Sequence, residues 1–395
     1  MRSKISLILF ALLSGVLGNV NSQSGIDAIL FSIEKNNKSL QAERQFWEAK
    51  KLEFHTGLTL PNPEFELEHF WGSPASIGGQ TEVTLVQPFD FPTAYKKRRQ
   101  LADEKAAQSG YAISSYRQET LLEAKLACIE IIYRQKLKNS LERRHQYLHR
   151  MERNFQEKLE VGDGNILDLN KARLQLLEVD QLSRENETAL RQLSLLLREL
   201  NGGEDLIFAD TLYPSVPVLP AFEELKTELE AQSVALQSLE QEKRIAEKAL
   251  EVSKTLRLPK FVAGYRLQAF QGGQYNGFLA GFSLPLWEHK NQVEYQQAEV
   301  AHSASQLDAQ RIEQIANLRQ AYDQQAMLKI ALDQYEAILL ESNAIPLLDR
   351  ALELGEISST TYFLEASYYE DALLEFLKTE RDYQLTLASL LKYRL

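Results

Sequence analysis

The chain has 395 residues, 44% hydrophobic and 25% charged, with 44 Lys+Arg against 55 Asp+Glu and a formal net charge of −11. That length suffices for two or three ordinary domains. The charge is too frequent and too evenly spread for a polytopic helical membrane protein, and the acidic balance opposes nucleic-acid binding, which needs clustered Lys and Arg. A single cysteine, Cys128, excludes an internal disulfide and a cysteine-based zinc site.

Residues 1–22 read as a secretory signal peptide. Arg2 and Lys4 precede an apolar run from Ile5 to Leu17, and Val20 and Ser22 stand before Gln23, the expected new N-terminus. No cysteine follows the run, so no lipid anchor is expected there. No later run approaches the ~20 apolar residues of a transmembrane helix. An exported chain of this kind still spans a membrane if it uses β-strands, whose hydropathy signal is weaker.

Proline then divides the chain. None occurs between Pro92 and Pro214, a stretch rich in Leu, Glu, Lys, Gln, Ala and Arg, which predicts two very long helices. The stop signal between them is Val161-Gly162-Asp163-Gly164-Asn165. The longer helix, at ~1.5 Å per residue, approaches ~95 Å. No compact globule holds such a rod, so the helices are expected to pack lengthwise. The stretches 221–258 and 286–395 have the same composition, and only Pro346 and Gly355 interrupt the second.

Four short segments differ in period. Glu64 to Trp71, Thr81 to Gln87, Phe261 to Gln268 and Gly277 to Leu284 alternate apolar and polar residues, the β signature. Gly-rich joints at Gly72 to Gln80 and Gln271 to Asn276 make each pair a hairpin, at 63–89 and 259–286. The order helix, hairpin, long helix, Gly break, helix therefore occurs twice. Pro88 and Pro285 end the hairpins, and Gly162 and Gly355 break the helices that follow. The first repeat is 23–201, the linker 202–220 with Pro214, Pro217 and Pro220, and the second repeat 221–395. The expected fold is mainly α with a small β part: long antiparallel helical hairpins plus four strands.

The alternation assigns faces. Phe65, Leu67, Trp71, Val83, Leu85, Phe89, Phe261, Ala263, Tyr265, Leu267, Phe278, Ala280, Phe282 and Leu284 share one apolar side. Glu64, Glu66, Glu68, Glu82, Thr84, Arg266, Gln268 and Ser283 lie on the other. Apolar-out, polar-in strands suit a membrane barrel with a wet lumen. Known barrels start at ~8 strands and bilayers exclude open edges, so four strands require more than one copy of the chain. The alternative is a soluble four-stranded sheet on a helical bundle.

At this point the chain resembles the TolC-like outer-membrane efflux proteins over essentially all of its mature length. Val161-Gly162-Asp163-Gly164-Asn165-Ile166-Leu167-Asp168-Leu169-Asn170-Lys171-Ala172 is similar to that family's turn pattern V-G-x-x-x-I-x-D-[VL]-x-x-A. Leu354-Gly355-Glu356-Ile357-Ser358 resembles the G-E-I-S variant of its heavy-metal branch, although Thr361 stands where an acidic residue is usual and one extra residue precedes Ala366. The resemblance implies a homotrimer with a shared twelve-stranded barrel in the outer membrane and a long periplasmic helical cylinder. It also implies a periplasmic adaptor and an inner-membrane pump of the resistance–nodulation–division type, with metal cations as cargo. Drug or type I protein-secretion ducts, or an exported rod or adaptor, are the alternatives. The docking tips would be Val161, Gly162, Asp163, Gly164, Asp168, Leu169, Leu354, Gly355 and Glu356. Glu365, Glu370 and Asp371 would form an acidic gate, and Glu64, Glu66, Glu68, Glu82 and Arg266 would line the barrel lumen.

Read as chemistry, Gly162 and Gly164 permit positive φ at a reversal, and Asp163 or Asn165 can cap the following helix. His145 and His149 have the spacing of a two-His metal pair, but no Glu or third His completes it. No phosphate loop or nucleophile triad is apparent. No enzyme, cofactor or resident metal is expected.

Overall fold

The structure is a computed structural model that describes residues 25–215, 218–341 and 344–395. The expected signal peptide at 1–22 and Pro217 lie outside the described residues. The chain begins with α1 (Gly25–Asn36) and α2 (Lys38–Phe54), followed by β1 (Glu64–Trp71) and β2 (Gly79–Phe89). Two rods follow, α3 (Pro92–Glu160) and α4 (Ile166–Leu200). The second half runs α5 (Phe222–Gln232), α6 (Val234–Thr255), β3 (Lys260–Phe270), β4 (Gly273–Ser283), α7 (Gln292–Glu341), α8 (Ala344–Glu353) and α9 (Ser359–Leu390). The fold is mainly helical with one small antiparallel sheet.

With 69 residues α3 is roughly 100 Å long. It lies against α2, α4, α6 and α9, while α7 lies against α6 and α9. An isolated helix of that length has no single core to wrap, so apolar burial is distributed along the rod. One cluster joins Ile26, Ile29 and Ile33 of α1 to Leu121, Cys128 and Ile132 of α3. Burial there pushes the Cys128 thiol up to about 12, which leaves it protonated and inert. A second cluster sits at the far end of the rods, and a third joins α5, α7 and the last residues of α9.

Each half opens with two helices where the sequence predicts one. Asn37 separates α1 from α2: its side-chain oxygen accepts the Leu40 N–H at 2.7 Å and its amide donates to the Leu200 carbonyl at 2.8 Å. Ser233 does the same between α5 and α6, accepting from Leu236 N–H and donating to Gln314. A capping side chain three residues before a buried leucine is a local restart of the helix.

Candidate pore sheet and helix tips

The four strands form one sheet in the order β1-β2-β3-β4, all antiparallel. Pairing of β2 with β3 joins the two hairpins. Directly opposed residues share a face, so the register decides the predicted sidedness. Phe65, Leu85, Tyr265 and Phe278 form one row, and Phe89, Phe261 and Phe282 another. On the other face Glu66, Thr84, Arg266 and Gly277 form a row, next to Glu68, Glu82, Gln268 and Tyr275. Tyr265 meets Phe278 edge-on at 5.7 Å, and Phe89 stacks on Phe261 at 5.6 Å. The apolar face is not covered: Phe278 is 94% exposed and Phe65, Leu67, Trp71 and Phe282 are also exposed. The outer edges of β1 and β4 have no strand partner among the described residues.

Three details of the sheet depart from the sequence reading. Gln271 and Gly272 alone make the second turn, with Gly272 at φ +102°, so β4 starts at Gly273 and not Gly277, and Leu284 falls just past its end. Glu82 is not a free wall charge: it is buried, its carboxylate accepting from Arg266 Nε at 2.9 Å and Gln268 Nε2 at 2.7 Å. Glu64, Glu66 and Glu68 remain exposed on the edge strand β1. The polar face also carries Phe70, Phe270 and Tyr275 at its turn end, the last two stacked at 5.3 Å.

At the opposite end of the rods, α3 turns into α4 and α8 into α9 with the same hydrogen bonds. Gly162 N–H donates to Leu159 O at 3.1 Å and Asp163 N–H to Lys158 O at 2.9 Å; Gly355 N–H donates to Leu352 O and Glu356 N–H to Ala351 O. Both are Schellman turns with glycine at positive φ, +79° and +75°. The next helix is capped three residues later in each case. Asn165 Oδ1 accepts the Leu167 N–H at 2.9 Å, and Ser358 Oγ accepts the Thr361 N–H at 3.1 Å. Of the two caps the sequence allowed, Asn165 is the one used. Gly164 has ordinary φ; it is glycine because a Cβ would lie 2.5 Å from Leu159 N.

The two turns lie together. Leu148 and Phe155 of α3 and Leu169 and Ala172 of α4 pack with Tyr362, Phe363 and Ala366 of α9, and Lys171 Nζ donates to Thr360 Oγ1 at 3.0 Å. Tyr362 O–H donates to Asp349 at 2.7 Å, tying α9 to α8. Val161 is 79% exposed, and Gly162, Asp163, Leu354, Gly355 and Glu356 are exposed beside it. Asp168 is half-buried in the first turn of α4, where the helix dipole favours a carboxylate. Leu169 is a correction: at 1% exposure it is core and offers nothing to a docking partner.

Glu370 is a second correction. Five residues turn a helix by about 140°, so it cannot share a face with Glu365. Glu365 and Asp371 are exposed, whereas Glu370 is 6% exposed. Burial raises its carboxyl above the ordinary carboxylate range, against the pull of Arg144 and Arg143. A group hidden this way cannot join an open acidic gate. The histidine pair is also placed: His145 Nε2 lies 3.3 Å from Asp180 of α4, with the His149 ring 6.1 Å away. Among the described residues no three His, Cys, Asp or Glu side chains are grouped to hold a metal ion, and no helix is long and apolar enough to cross a membrane.

No family model and no curated protein matches the sequence. Solved structures do match its shape. A membrane protein from Pseudomonas aeruginosa superposes with TM-score 0.81 at 14% identity, over 94% of this chain and 90% of that one. The Campylobacter jejuni CmeC outer membrane channel gives 0.78 at 14% identity, over 94% and 86%. CusC, whose structures concern folding and transmembrane channel formation, gives 0.78 at 12%, over 93% and 91%. At such identities the similarity establishes the fold, which is that of the TolC-like channels from sheet to helix tips.

Proposed function

We propose that three copies of this chain assemble into an outer-membrane exit duct, a twelve-stranded barrel standing on a long periplasmic cylinder of helices. The reading rests above all on one observation: a four-stranded sheet with an exposed apolar face and two open edges caps the ends of helical rods. Bilayers tolerate neither open edges nor unpaired strands, and pairing β4 of one copy with β1 of the next removes both problems. The duct is passive, and energy comes from an inner-membrane pump, with the resistance–nodulation–division type as its expected class. A periplasmic adaptor docks on the tips at Val161, Gly162, Asp163, Gly164, Leu354, Gly355 and Glu356.

The proposed cargo is a cation, metal ions being the first to test. The exposed Glu64, Glu66 and Glu68 and the Gly355-Glu356-Ile357-Ser358 turn support that choice. Fractionation and mass measurement test the duct. A heat-labile species of three chains extracted from the outer membrane is expected; a soluble monomer refutes it. Metal sensitivity of a deletion strain, relieved by the gene, tests the cargo.

A further inference from the structure

Where the sheet meets the helices, the charge pattern runs against the rest of the chain. The segments 88–100, 248–260 and 284–296 flank this boundary. They hold nine Lys and Arg against four Asp and Glu, in a protein whose net charge is −11. The centre of the excess is Lys96-Lys97-Arg98-Arg99, in the first two turns of α3. That is the wrong end of a helix for cations, because the dipole there is positive. No acidic residue offsets them in the first turn of α3, whereas α4, α5 and α7 open with Asp168, Glu223 and Glu294.

The four carboxylates within these three segments are all paired, while Glu64, at the start of edge strand β1, stays exposed on the opposite, polar face. Asp90 pairs with Arg98 at 2.6 Å, Glu251 with Lys97 at 2.6 Å and Lys248 at 3.1 Å, Glu288 with Lys260 at 3.4 Å, and Glu294 with Arg257 at 3.2 Å. Among the described residues, four cations of these segments are exposed and form no ion pair: Lys96, Arg99, Lys254 and Lys290. Beside Lys290 the chain leaving β4 exposes Leu284, Leu286 and Trp287, the last by 83%. A tryptophan with a lysine three residues on, at the end of an apolar strand face, is the residue pairing found where acyl chains give way to head groups.

We propose that Lys96, Arg99, Lys254 and Lys290 form a basic girdle that binds anionic phospholipid head groups at the boundary of the barrel's apolar face. The proposal rests on the membrane-barrel reading above. It explains why Lys96 and Arg99 are kept at a helix end that disfavours cations, next to Lys254 in the last turn of α6, where the dipole favours one. The girdle fixes the depth of the barrel in the bilayer and makes insertion sensitive to lipid charge.

The test uses the full mature chain and vesicles of phosphatidylcholine with or without phosphatidylglycerol. The fraction inserted is read by flotation and protease protection. The parent should insert better into the anionic vesicles, and high salt should close the gap, because such attraction is screened over ~8 Å at physiological ionic strength. Each neutralised cation should cost roughly fivefold of that advantage. The variant Lys96→Gln/Arg99→Gln/Lys254→Gln/Lys290→Gln should insert into phosphatidylcholine like the parent but lose the preference. Replacing Arg150, Arg153 and Lys158, at the other end of the rods, should leave it intact. Equal insertion of the parent into both lipids, or a preference that survives the quadruple change, overturns the girdle alone. Failure of the parent to insert into either lipid overturns the membrane reading with it.

Discussion

The glycines of the α3–α4 turn should fail for two different reasons when replaced. Gly162 sits at φ +79° with nothing within 4 Å of where a Cβ would go. Its requirement is therefore conformational only. Alanine there should cost about 1–2 kcal/mol, the left-handed penalty of an L-residue, and asparagine distinctly less, since its short polar side chain tolerates that region. Gly164 has no such backbone constraint, but a Cβ would lie 2.5 Å from Leu159 N and 2.8 Å from its Cα. Backbone atoms cannot step aside, so Gly164→Ala should displace the whole turn and exceed the cost of Gly162→Ala. Amide hydrogen exchange at residues 162 and 163 reads this directly, because those N–H groups donate to Leu159 and Lys158. A loss of 1–2 kcal/mol is a roughly 5–30-fold rise in local opening. If Gly162→Ala exchanges like Gly162→Asn, or Gly164→Ala like the parent, the account of the turn is wrong.

Other outcomes follow from the sheet and the buried carboxyl. Leu67→Arg or Phe282→Arg should cost ~2–4 kcal/mol near a bilayer midplane and lower the yield of inserted trimer, while Glu66→Arg on the opposite face should assemble nearly normally; equal tolerance would remove the sidedness. Glu370→Gln should stabilise the packing of α9 on α3 at neutral pH. The raised carboxyl of Glu370 contributes stability below its unfolded pKa, about 4.3, and loses it as pH climbs through the higher folded value. The advantage of the glutamine variant in thermal melts should thus grow with pH, and a gap that is constant or shrinks with pH would contradict the assignment. Glu64→Gln/Glu66→Gln/Glu68→Gln should flatten the cation preference of the channel without closing it, and an unchanged preference would move selectivity to the helices.

Much of this architecture is written locally. Gly162 and Gly355 announce the turns because positive φ is a property of one residue, and the period-two runs fix the sheet faces because side-chain direction alternates regardless of what lies beyond. The errors concern what one segment does to another. Asn37 and Ser233 look like ordinary polar residues within helical stretches, and only their bonds to Leu200 and Gln314 from other helices reveal them as restarts. Leu169 matches a turn motif, but the packing of α9 makes it core. Glu370 belongs by composition to an acidic run and by rotation to the interface with α3. Glu82 reads as one of four like charges until the register brings Arg266 and Gln268 to it. Phe70 falls on the polar phase of the first run itself, whereas Phe270 and Tyr275 lie past the ends of the alternating runs, beside the turn at Gln271-Gly272.

Conductance in planar bilayers tests the central proposal most directly. Protein purified from the outer membrane as a trimer should open discrete channels that favour cations over anions, more strongly at low salt because the carboxylates of β1 are then less screened. Assembled protein that never conducts, or channels that favour anions, would contradict a duct whose lumen is lined by Glu64, Glu66 and Glu68.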